Sequence, residues 1–74
     1  MGRIEIDLKV MHGKPVIKGT RIPADVILGS LAGGMTYEEI EKEYGVTKKD
    51  ILAVIEYAAS IISHEKVKPL KMKA

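Results

Sequence analysis

The chain has 74 residues, no Cys and no Trp or Phe, is 46% hydrophobic, and carries a formal net charge of only +2. One small domain is all this length supports, its core must come from Ile, Leu, Val, Met and Ala, and no disulfide can reinforce it. The composition fits a reducing compartment, no apolar run approaches ~20 residues, and the N-terminus lacks the apolar stretch of a secretory leader, so the chain reads as soluble and cytoplasmic, without a membrane role.

Ile4-Glu5-Ile6-Asp7 alternates apolar and charged residues, the period of a half-buried strand. Pro15-Val16-Ile17-Lys18 and Arg21-Ile22 read as two further extended pieces, with Gly13, Gly19 and Thr20 at the turns. Residues 1–22 are therefore expected to form a β or hairpin arm. Such an arm is too small for an independent sheet and pairs across a dimer or lies on helices. Pro23 suits a helix start, and Ala24, Ile27, Leu28 and Leu31 follow at helical spacing until Gly33-Gly34 ends the helix.

Thr36 and Glu39 form a T-x-x-E capping box, with Met35 and Ile40 as the matching hydrophobic staple. The helix is short, and Gly45 closes it. Thr47 is a second cap, with Asp50 as a weaker box partner and Val46 with Ile51 as a second staple. The next helix carries an apolar stripe of Ile51, Val54, Ile55, Ala58, Ile61 and Ile62. That stripe exceeds the needs of one short domain and is assigned to a dimer or partner interface. Pro69 ends any regular helix, and Lys66, Lys68, Lys71 and Lys73 give residues 64–74 the look of a flexible basic tail. The expected fold is mainly α: a three-helix helix–turn–helix domain over residues 23–63 behind the N-terminal arm.

A helix–turn–helix raises DNA as a ligand. Thr47, Lys48, Lys49 and Ala53 occupy the start of the third helix, the part that enters a major groove, and Arg3 and Lys9 could add phosphate contacts. The helix holds no Arg, Asn or Gln for bidentate base reading, while Asp50 and Glu56 repel phosphates. Glu41 stands where a small residue usually lets the two helices approach. Lysines at the two ends around an acidic middle are equally the solvated surface of a small protein. His12 and His64 lack partners at metal-ligand spacing, and no nucleophile–base pair is readable, so the chain reads as a non-enzyme with no cofactor and no small-molecule substrate. The glutamates Glu38, Glu39, Glu41 and Glu43 read as a helix first turn and a solvated face. Arg21 could hold a phosphate or a partner's carboxylate, or could fix the arm to the body through backbone carbonyls or Asp25. The surrounding Gly and Pro describe backbone shape and favour the second role.

The string Gly13-Lys14-Pro15-Val16-Ile17-Lys18-Gly19-Thr20-Arg21-Ile22-Pro23 is specific. Followed by an apolar helix, Gly33-Gly34-Met35-Thr36, Glu38-Glu39-Ile40 and Asp50-Ile51, it closely resembles the prokaryotic family known as domain of unknown function 433, over roughly residues 4 to 60. The family is similar to VapB-type antitoxins. The resemblance implies a helix–turn–helix behind an extended segment, and an antitoxin role in a two-component system with a PIN-like ribonuclease as the toxin. Members commonly have glycine where this chain has His12, and many end in an acidic stretch where this tail is basic.

Overall fold

The computed structural model describes residues 2–64. Strand β1 (Ile4–Glu5) pairs antiparallel with β2 (Val16–Ile17), Ile4 opposite Ile17 and Glu5 opposite Val16. The expected strand over residues 4–7 is cut short by Asp7, whose Oδ1 accepts the Lys9 backbone N–H at 2.9 Å and turns the chain. Ile6 is left exposed. On the other side of β2, the Ile17 N–H donates to the Ile22 carbonyl at 3.0 Å, and the Ala24 N–H donates to the Pro15 carbonyl at 2.8 Å. Thr20 locks this second turn, its hydroxyl donating to the Ile17 carbonyl and accepting the Ile22 N–H. The arm thus lies on the helices, with Ile17 in the core and Ile4 packed against it.

Helix α1 (Ala24–Ala32) has Pro23 as its N-cap, one position ahead of the first helical turn. It ends at Gly33 and Gly34. Gly34, at φ +99°, donates to the Leu31 carbonyl, and Met35 donates to that of Ser30, the paired closure of a Schellman end. Helix α2 (Tyr37–Tyr44) starts at a complete capping box: the Thr36 hydroxyl accepts the Glu39 N–H at 3.1 Å, and Glu39 Oε1 accepts the Thr36 N–H at 2.8 Å. Gly45, left-handed at φ 71°, closes α2, and Gly45-Val46-Thr47 leads into α3 (Lys48–His64).

These are the three helices, hairpin and helix–turn–helix order that the sequence reading calls for. Ile17, Ala24, Ile27, Ile40, Val46, Ile51 and Val54 form the buried core, one or more from every helix and from the arm. The residues of both expected staples gather in one cluster, Met35 packing against the cluster that holds Ile40, and Val46 and Ile51 both belonging to it. Each fully buried Ile or Val contributes ~1.5–3 kcal/mol relative to exposure, which is why so few residues hold three helices together. Of the basic tail expected over residues 64–74, His64 is the last residue of α3, and the rest lies outside the described residues.

Candidate interaction surface

The start of α3 is assembled from three parts of the chain. Asp50 closes a second full capping box: its Oδ2 accepts the Thr47 N–H at 3.0 Å, and its own N–H donates to the Thr47 hydroxyl at 3.2 Å. Its other oxygen, Oδ1, takes Arg3 Nη1 at 2.9 Å, with the Asp50 side chain 14% exposed and that of Arg3 49%. Burial is the largest influence on the Asp50 carboxyl and pushes its pKa up. The Thr47 N–H, the hydrogen bonds from Arg3 and the Thr47 hydroxyl, and the Arg3 charge together outweigh it, so the pKa lies below the usual carboxylate value.

Arg3, Lys49 and Ala53 are brought together, lining a shallow groove with Gly2, Leu52 and Glu56. Lys18 joins its rim beside Gly2, Arg3 and Asp50, carried there because its N–H pairs with the Arg3 carbonyl at 2.7 Å. The other expected DNA-facing residues lie elsewhere. Thr47 is the cap, and Lys48 places its ammonium 5.6 Å from the centre of the Tyr37 ring, a cation–π contact with α2. Lys9 sits in the Asp7 turn. Sequence reasoning passed over Leu52 and Lys18 as members of this surface. Helical arithmetic alone places Leu52 with Lys49, Ala53 and Glu56 on one face, whereas Lys18 enters through a strand register that no local pattern reveals.

The interface assigned to the α3 stripe needs correction. Ile51 and Val54 are fully buried in the chain's own core and cannot meet a partner, because the arm, α1 and α2 close over the first half of α3. Ala58 is half-buried. Ile55 (36%), Ile61 (43%) and Ile62 (62%) are exposed, and so is Leu52 (45%), which the assignment omitted. A further correction concerns Arg21. Asp25 is held by Lys14 Nζ at 3.0 Å, and Arg21 is exposed with no ion-pair partner among the described residues.

The remaining motif residues act on the backbone. Gly13 adopts φ +86°, and a Cβ there would lie 3.1 Å from Leu8 Cδ2. It follows Met11 and His12, both non-glycine residues at positive φ, 51° and 57°. Gly19 turns at φ +81° beside Thr20. Glu41, half-buried, does not keep α3 away, since both helices share the core. Among the described residues no three of His, Cys, Asp and Glu gather as a metal site, and no helix is long and apolar enough to cross a membrane.

Fold and surface together define a helix–turn–helix domain braced by a small hairpin, with a basic and apolar face along its last helix. The chain belongs to the DUF433 family, described as protein of unknown function, whose model matches residues 4–58. An uncharacterized protein of Archaeoglobus fulgidus is 72% identical over 25 residues, 34% of this chain and 69% of that relative. The crystal structure of a DUF433 member protein from Anabaena variabilis superposes with a TM-score of 0.76 at 27% identity, over 84% of this chain. The chain spans 62% of the length of that structure.

Proposed function

We propose that this chain is an antitoxin-like regulator, a dimeric binding module whose protein partner is a PIN-like ribonuclease and which touches duplex DNA through phosphate contacts. The observation that carries this reading is the face of α3, where exposed Leu52 shares a groove with Lys49 and Arg3, and Lys18 lies beside Arg3 in the adjoining hollow. An exposed Leu at the core of a patch with cations around it suits a protein partner and, at its rim, a phosphate backbone. The partner's identity is carried over by analogy alone, from the resemblance to VapB-type antitoxins read in the sequence.

A second reading, a protein-binding adaptor without a DNA role, is favoured by one specific contact. Asp50 neutralises Arg3 at 2.9 Å, and Glu56 lies in the same groove. Fluorescence anisotropy with duplex DNA from the chain's own promoter separates the two. The regulator binds at low salt and releases steeply as salt rises. Absence of binding at low salt, with a co-expressed PIN-like nuclease still captured, leaves the adaptor. Absence of both removes the regulator.

A further inference from the structure

The two-stranded sheet of the arm uses one of its edges and leaves the other open. Ile17 turns both of its backbone groups away from β1, its N–H donating to the Ile22 carbonyl and its carbonyl accepting from the Thr20 N–H. Ile4 stands opposite Ile17, and residues directly opposed in an antiparallel pair either exchange both hydrogen bonds or exchange none. Ile4 therefore aims its N–H and carbonyl away from β2. Ile6, two residues further along, does the same by the period of an extended chain. Among the described residues no turn or loop takes up these four groups, and Ile6 is exposed. Unpaired groups along a sheet edge are a template for one more strand.

The groove at Gly2 and Arg3 opens where this edge begins. Its lining includes no residue of β2, and its other wall is Lys49, Leu52, Ala53 and Glu56 of α3. Exposed Leu52 and half-buried Ala53 give that wall an apolar stretch. Lys49 is exposed with no ion-pair partner among the described residues, and Arg3, although its Nη1 is on Asp50, keeps half of its side chain in water. We infer that this groove takes an extended segment of a partner protein, added antiparallel to the free edge of β1, with aliphatic side chains toward Leu52 and a carboxylate toward Arg3 and Lys49. The inference rests on the protein-partner part of the regulator reading and names how that partner is held. Main-chain bonds to the edge supply the attachment, and alternate side chains supply the selectivity. Residues opposite Ile6 and Ile4 exchange both bonds with them and point to the face of Ile4, which packs toward the helices. An antiparallel segment ends beside the start of β1, so the next residue on that face lies opposite Gly2, where the groove's cations favour an acid.

The probe is a blocked hexapeptide, Thr-Val-Thr-Val-Thr-Glu, whose valines fall opposite Ile6 and Ile4 and whose glutamate falls opposite Gly2. It should bind the full chain with a Kd below ~1 mM. At saturation, amide hydrogen exchange at Ile4 and Ile6 should slow at least tenfold, with the Lys42 amide of α2 unchanged. N-methylation of the two valines removes the donors that face the edge and should weaken binding at least tenfold. Leu52→Glu should do the same with the helical circular dichroism unchanged, because Leu52 lies outside the core. No binding at ~1 mM, binding indifferent to N-methylation, or binding without slower exchange at Ile4 and Ile6 overturns the inference. Slowing at Ile4 and Ile6 that appears without peptide as the protein concentration rises assigns the edge to a second copy and overturns it too. Because nuclease capture is read separately, capture with no peptide binding refutes the strand addition and leaves the regulator standing.

Discussion

Replacing Asp50 with Ala removes two things from one carboxylate. The Thr47 N–H loses its acceptor at 3.0 Å, and Arg3 loses its partner at 2.9 Å. Loss of a capping interaction costs ~0.5–2 kcal/mol, centred near 1. The ion pair is discounted because half of the Arg3 side chain faces water, and exposed pairs contribute ~0.2–1 kcal/mol. The sum is ~1–2 kcal/mol, or a fall in Tm of roughly 5–15 °C for a domain of this size. The same group carries a pH signature. Its pKa is lowered in the folded state, so the stabilisation is complete above the unfolded value of ~3.9 and is lost as pH falls through that value toward the folded one. Thermal melts from pH 7 to pH 2 check both parts. The wild type should lose its advantage over Asp50→Ala in the acid range, and the two curves should converge there. Equal melting temperatures at pH 7, or a constant gap down to pH 2, would refute the assignment of Asp50 as cap and anchor.

His12→Gly should raise stability by up to ~1 kcal/mol in a urea titration, because His12 holds φ 57° where a side chain is strained and glycine is not. A fall in the midpoint would show that the His12 side chain is itself bound. Ile51→Ala should cost ~2–5 kcal/mol and leave the domain barely folded, since Ile51 is fully buried. Ile62→Ala, measured at sub-micromolar concentration, should change stability by less than ~0.5 kcal/mol. Equal effects of the two would mean that the division of α3 into a buried and an open face is wrong.

The parts of this fold that could be read from sequence are those built within one turn of chain. Thr36 with Glu39, Thr47 with Asp50, and the glycines after α1 and α2 act on neighbours three to five residues away, and each does what its chemistry requires. Periodicity likewise marked the apolar line on α3. It could not say which members of that line the arm and α1 would cover, and so Ile51 and Val54 were placed with Ile62 although the core consumes them. The same limit explains Lys14, which takes Asp25 although Arg21 is the nearer candidate in sequence. Asp50 was legible as a cap, but its bond to Arg3 spans 47 residues of sequence and depends on how β1 lies against α3. Long-range register decides such pairs, and it leaves no local trace.

If the groove at Arg3 takes a polyanion, as proposed, that bond makes Asp50 a junction between recognition and folding. The carboxylate that starts α3 is the one that restrains the arm, so whatever draws Arg3 toward itself acts on both. A polyanion in the groove competes with Asp50 for the guanidinium, and by reciprocity a chain whose arm is already loosened presents Arg3 to that polyanion at lower cost. Affinity at this surface and rigidity of the N-terminal arm are therefore thermodynamically tied, and tightening one, as by strengthening the Arg3–Asp50 pair, weakens the other.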